Sequence, residues 1–198
     1  MSRIIVDSIR NSSASSDGIT LSSDGKVTFP NTSTGKVLQI VETKITDTKS
    51  LATTNSWQDM SGFNVSITPT ATNSKILVKA MINHSNRNNH IGGRLVRSVG
   101  GTVTVPTGWV GDSDGSRTQS SLGNVYDLWY AGVDSNAAVS FEMIDDSHNT
   151  TSAITYKLQF FCYVSGSYTV YLNRPMTDAD AAYSYRAVSS FIAMEIAA

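Results

Sequence analysis

Residues 154–164, ITYKLQFFCYV, contain neither Gly nor Pro and keep a strict two-residue rhythm. Ile154, Tyr156, Leu158, Phe160, Cys162 and Val164 share one side, and Thr155, Lys157, Gln159, Phe161 and Tyr163 share the other. Successive side chains of an extended chain point to opposite faces, so this period predicts a half-buried β-strand. The second side begins polar and ends aromatic, which implies solvent or a second apolar surface along its length. At about 3.3 Å per residue the stretch spans roughly 35 Å, long enough to sit mid-sheet and template its neighbours.

The remaining apolar runs read as its partners. In residues 1–34, Ile19 and Leu21 repeat as Val27 and Phe29 across a turn of Ser23, Asp24 and Gly25, which predicts a small β-hairpin. So few apolar groups cannot offset the entropy of ordering that segment alone. It is expected to lean on the main domain, a sister chain or a larger particle, as an attachment arm ahead of a globular domain over residues 35–198.

From Gly35 the strands are more regular. Residues 36–46 set Val37, Val41 and Ile45 against Leu38, Ile40 and Glu42, and their two-sided apolar start predicts cover on both faces. Residues 50–55 read as a polar loop. Trp57, Phe63, Val65 and Ile67 lead into Pro69, which ends a strand because it has no amide donor. Residues 75–83 follow with Ile76, Val78, Ala80 and Ile82 on one side, then RLVRS after Gly92 and Gly93, and TVTV after Gly100 and Gly101. Residues 111–123, GDSDGSRTQSSLG, form a long exposed loop. Strand pattern resumes at Val125, Tyr126, Leu128, Trp129 and Tyr130.

Residues 137–144 place Val139, Phe141 and Met143 on one face, and a polar turn joins them to the strand at Ile154 as an expected hairpin. Residues 168–171 make a short strand, 173–185 a polar crossover with room for a brief helix over 178–183, and 189–196 the closing strand. There Ile192, Met194 and Ile196 alternate with Ala193 and Glu195. About ten strands at intervals of roughly ten residues predict an all-β fold, an antiparallel β-sandwich or jelly roll.

Composition agrees and narrows the partners. Ser and Thr fill 50 of 198 positions and charged residues only 16%, which favours strands over wet-faced helices. A net charge of -1 leaves no electrostatic footprint for nucleic acid or an anionic membrane. The N-terminus lacks the apolar core of a signal peptide and no run reaches transmembrane length, so folding in a cytoplasm is expected. The one cysteine, Cys162, reads as a small buried hydrophobe that stays reduced. The N-x-S/T matches at Asn11, Asn31, Asn64 and Asn149 follow from a Ser/Thr-rich composition.

Candidate chemistry is sparse. Trp109, Tyr126, Trp129 and Tyr130 flank the polar loop, and their ring faces suit the apolar planes of a surface sugar; core packing and contacts between copies compete with that reading. Asp112, Asp114 and Gly115 resemble the start of a calcium loop without its downstream acid. His84, His90 and His148 would hold a metal only if two turns met. No nucleophile elbow, His-Glu-x-x-His pair or phosphate loop occurs; Glu142, Asp145, Asp146, Asp178 and Asp180 could in principle supply a glycosidase pair, but all except Glu142 lie in Asn/Ser-rich turns where solvated acids are expected, so no enzyme, cofactor or resident metal is expected.

Five segments stand in a telling order: GKVLQIVETK from Gly35, FNVSITPTATNSKILVKAMI from Phe63, RLVR at 94–97, GDSDGSR from Gly111 and the closing SSFIAMEIA. With them the chain resembles the tail-fibre-like virion structural proteins of marine cyanophages and related tailed phages, over residues 35–198. The resemblance implies a globular β-domain at the far end of a virion fibre, assembled as a homotrimer. It implies a short tail-fibre or fibre-tip component that contacts a host cell-surface glycan, or else a trimeric capsid decoration or adaptor protein. In either case the chain would reside in the virion, assembled in the host cytoplasm and joined to other virion proteins through residues 1–34.

Overall fold

The computed structural model describes residues 7–9, 18–28, 35–86, 90–123, 136–163 and 168–198. Among these, alternating sequence becomes thirteen strands and no helix. They are β1 (Ser8–Ile9), β2 (Ile19–Leu21), β3 (Val27–Thr28), β4 (Val37–Ile45), β5 (Lys49–Thr53), β6 (Gln58–Ile67) and β7 (Lys75–Ser85). There follow β8 (Ile91–Val99), β9 (Thr102–Thr104), β10 (Ala137–Asp145), β11 (Ile154–Cys162), β12 (Tyr168–Leu172) and β13 (Ser189–Ile196). A six-stranded sheet runs β4-β13-β7-β12-β5 with β10 on the other edge of β7, and a four-stranded sheet runs β6-β11-β8-β9. Every pairing is antiparallel, and the two sheets stack as a β-sandwich around one core.

The strand at Ile154 is the centre of the four-stranded sheet, held between β6 and β8. Its side of Ile154, Tyr156, Leu158, Phe160 and Cys162 is fully buried. Opposite it lie Ile76, Val78, Ala80 and Ile82 of β7, with Phe141 of β10 and Val170 and Leu172 of β12. Phe63 of β6 and Phe191 of β13 meet between the sheets with ring centroids 5.3 Å apart. In β6 both Met60 and Phe63 are buried, three residues apart, because a bulge around Gly62 resets the two-residue rhythm. Gly62 has φ +75°, a conformation a side chain disfavours.

The early hairpin forms as expected, with β2 and β3 pairing across the turn and β1 adding a third strand. Ser22 Oγ closes the turn onto Asp24, and Lys26 N donates to Asp24 Oδ1 (3.1 Å). The chain enters the sandwich at Gly35, whose N–H donates to Ala197 O (3.1 Å).

Three expectations are corrected. Residues 50–55 are mostly not a loop: Lys49–Thr53 is the edge strand β5, paired with β12, and Thr53 Oγ1 donates to Tyr168 O (2.7 Å). With Leu51 as its one large apolar residue, an edge strand gives almost no periodic signal. β10 and β11 are not a hairpin, because β10 pairs with β7 along all nine residues while β11 belongs to the facing sheet. The turn between them crosses the sandwich, anchored by His148, whose Nε2 donates to Ser74 O (2.7 Å). Residues 178–183 form no helix; Asp178 is instead drawn to Arg174 and Arg186.

In β13 the alternation forms as expected, and burial decides between its two sides. Phe191, Ala193 and Glu195 face inward and are buried, while Ile192, Met194 and Ile196 face outward and stay partly exposed. An inward glutamate is tolerated because Gln39 Nε2 (2.6 Å), Thr70 N (2.7 Å) and Thr70 Oγ1 (2.9 Å) all donate to it. Burial alone would raise its carboxyl, but hydrogen bonds from Gln39, Ser74 and Thr70 outweigh that and hold it at about 2.

Truncating the inter-sheet aromatic contact should be costly, since the ring leaves a cavity between two hydrogen-bonded layers. Phe191→Ala is expected to lose about 3–5 kcal/mol of stability in urea unfolding, whereas Ile144→Ala, on an exposed side chain, should lose less than about 1 kcal/mol.

Candidate assembly surface

Trp109 lies inside the sandwich, 3% exposed, stacked on Tyr156 at 5.7 Å, with its indole N–H donating to Ile144 O (3.2 Å). Both its ring faces and its donor are taken up by the core, so it offers no platform to a sugar. Tyr126, Trp129 and Tyr130 lie outside the described residues. Beside Trp109 a buried polar network ties the sheets: Arg97 of β8 donates from Nη1 to both oxygens of Asp145 of β10 (2.8 and 3.0 Å), and Tyr156 Oη of β11 donates to Asp145 Oδ2 (2.8 Å). Burial, with the Asp145 carboxylate alongside, pushes the Tyr156 phenol far above its ordinary value and keeps it a donor.

The other candidate groups have structural partners or stand apart. Asp114 is bound by Arg117 (2.7 Å) in the exposed loop, and Glu142 by Lys79 (2.9 Å). His148 bonds next to the start of β7, whereas His84 is the tenth residue of that strand, so roughly 30 Å of strand separates them. Among the described residues no group of three or more His, Cys, Asp and Glu side chains converges to hold a metal.

On the outer side of the four-stranded sheet the structure assembles a cluster that spacing alone does not reveal. Arg94 lies over the Trp57 ring at 4.3 Å, and Trp57 packs against Phe161 at 5.4 Å. Arg94 Nε also donates to Gln159 Oε1 (2.9 Å), whose Nε2 donates to Asp59 Oδ1 (2.7 Å). Residues 119–122 fold back against this edge, where Leu122 N donates to Gly93 O (2.8 Å). Of the two aromatic residues at the end of this side, Phe161 is thus covered by Trp57, while Tyr163 is exposed.

The outer face of the six-stranded sheet differs, because nothing among the described residues covers it. Register lines up Ile40, Met194, Leu77 and Ile144 as one row across β4, β13, β7 and β10. Ile40 is 60% and Ile144 51% exposed, in positions where an antiparallel sheet usually shows polar groups to water. The next row is Glu42, Ile192, Lys79 and Glu142, and the one beyond is Lys44, Ser190, Met81 and Ser140. Lys79–Glu142 (2.9 Å) and Lys44–Glu42 (3.4 Å) pair within the face. Beside the apolar row, an open depression of about 390 Å³ is lined by Lys79, Met81, Ser140, Glu142, Ser190 and Ile192. The two-sided apolar start of β4 and the outward side of β13 were the sequence signals for this face; the row itself depends on strand order.

No family model and no curated protein matches the chain. Solved structures that overlap it include the infectious bursal disease virus Gx strain (7% identity, TM-score 0.37), the VP2 subviral particle of infectious bursal disease virus (8%, 0.37) and a mutant VP2 protein of that virus in derived T=1 particles (9%, 0.37). They cover 81%, 82% and 87% of this chain, while the chain covers 37%, 38% and 39% of theirs, less than two fifths of their length. At these scores the overlap assigns neither family nor role.

His84 provides a solution test of the interior on which the outer face rests. Its ring is fully buried where β7 meets β10 and β12, and neither ring nitrogen has a hydrogen-bond partner among the described residues. Burial lowers it from 6.5 to about 4. The unfolded chain therefore binds the proton first: His84's contribution is complete above about pH 6.5 and is lost as pH falls toward 4, by roughly 3 kcal/mol. Urea unfolding across that window should show the fall, and His84→Leu should flatten it.

Proposed function

We propose that the chain is a virion structural protein, a short tail-fibre or fibre-tip component that works by assembling with copies of itself, as a homotrimer, and with other virion proteins. The observation that carries this reading is the apolar outer face of the six-stranded sheet, with Ile40, Met81 and Ile144 exposed on it. Contiguous exposed apolar surface marks an interaction site, and here it spans four strands. The order of the five sequence segments from Gly35 to the closing SSFIAMEIA supports a particle protein over other assembling proteins. A rigid sandwich is also an apt building block, since trimer formation covers sheet edges.

Residues 1–34, which include the small sheet β1–β3, act in this reading as the element that docks onto the particle. The exposed part of the loop at 111–123 is then placed to meet a host glycan. Burial of Trp109 removes one of the four aromatic residues that suited such contact and favours a second reading, a trimeric capsid decoration or adaptor protein. Catalysis forms no part of either. Asp145 is bound by Arg97 and Tyr156, and Asp178 by two arginines, which suits structural duty better than general acid chemistry.

Immunogold labelling of intact particles with antibody against residues 35–198 separates the readings. Label confined to the tail end is expected for a fibre tip, label over the head would indicate a decoration protein, and particles without label would overturn both. Deleting residues 1–34 should leave the melting temperature of the sandwich within a few degrees and abolish its association with particles.

A further inference from the structure

We infer that the occupant of the outer face of the six-stranded sheet is a second copy of this chain, seated with the Ile40–Met194–Leu77–Ile144 ridge of one copy against the depression beside Ser140 and Ser190 of the other. This rests on the virion assembly reading above and adds to it a two-fold contact between copies, separate from the contacts that would close a trimer. Shape is the first argument. Four long apolar side chains form one row, and two rows away Ser140 and Ser190 flank Met81, leaving the depression of about 390 Å³. One face therefore carries both a ridge and the hollow to receive it, as a self-complementary surface requires.

Charge is the second argument. The acidic groups on this face are paired with lysines in the plane of the sheet, Glu142 with Lys79 and Glu42 with Lys44. Little field remains to attract a strongly charged partner, and a surface of the same composition fits without leaving a buried charge unpaired. Size is the third. Four strands about 4.8 Å apart and about 28 Å long present roughly 500 Å² of flat face, so two copies would bury roughly 1,000 Å², the lower bound for a specific interface.

The test uses the full chain. Size-exclusion chromatography with light scattering at micromolar concentration should report a mass above that of one chain, reduced to one chain by Met194→Asp, with circular dichroism confirming the sandwich. Should Met194→Asp fail to fold, Ser140→Arg fills the depression from an exposed position and is expected to do the same. Tyr163→Asp, on an exposed ring of the other sheet, should leave the mass unchanged. Within one chain, positions 140 and 194 lie two strands and four residues apart, roughly 16 Å, too far for an intrachain disulfide. Mixing Met194→Cys chains with Ser140→Cys chains under oxidation should therefore give mainly the mixed covalent pair.

A single-chain mass for the native protein, or a multimer unaffected by Met194→Asp and Ser140→Arg, would overturn the inference. A single-chain mass together with labelled particles would reject the second copy as occupant yet leave the virion reading standing. Self-assembly with unlabelled particles would do the reverse.

Discussion

An antiparallel sheet that turns one face to water usually keeps that face polar, and the six-stranded sheet carries a row of apolar side chains on its outer side as well as an apolar inner side. Its inner side is satisfied by the facing sheet, through β11 and the Phe63–Phe191 contact. Its outer side has no counterpart among the described residues. At about 25 cal/mol per Å², a few hundred Å² of such surface represents several kcal/mol available to association before ordering costs. This imbalance links the fold to the functional reading, since the described residues alone leave one layer of the stack unfinished.

The interior explains why the outer face is presented so rigidly. Asp145, Arg97 and Tyr156 join β10 to the opposite sheet, and Glu195 joins β13 to residues 68–74 through Gln39 and Thr70. Asn173 does the same at another edge, donating from Nδ2 to Ile45 O (2.7 Å) and Asp47 O (2.9 Å) while accepting from Ser189 Oγ (2.7 Å). These polar groups are directional where apolar packing is not, and they fix the register of β4, β13, β7 and β10 relative to the core. Polar atoms placed inside and apolar ones outside are a reversal that stability alone does not call for.

Much of the fold was legible because alternation depends on the chain itself. β4, β7, β11 and β13 stand within a residue or two of where period-two sequence put them, and Cys162 is buried and unpaired as its neighbours implied. What alternation cannot encode is which strands are neighbours. Residues 137–144 and 154–164 looked like a hairpin because they are consecutive, whereas inward capture of Asp145 sends the next strand across the sandwich. Trp109 looked like a loop aromatic because Gly108 and Gly111 flank it, yet its partner Tyr156 is 47 residues away. The apolar row from Ile40 to Ile144 draws on four strands distant in sequence, so only topology brings it together.

As a virion component, the chain should have this outer face covered in the assembled particle. Met81 and Met194 lie on it and Met60 lies in the core, which makes methionine oxidation a direct probe. Hydrogen peroxide treatment of dilute chain and of intact particles, followed by peptide mass spectrometry, should show Met81 and Met194 oxidised in the free chain and protected several-fold in the particle, with Met60 slow in both. Equal oxidation of Met81 and Met194 in the two states would mean that the face remains open to water, and would contradict the account.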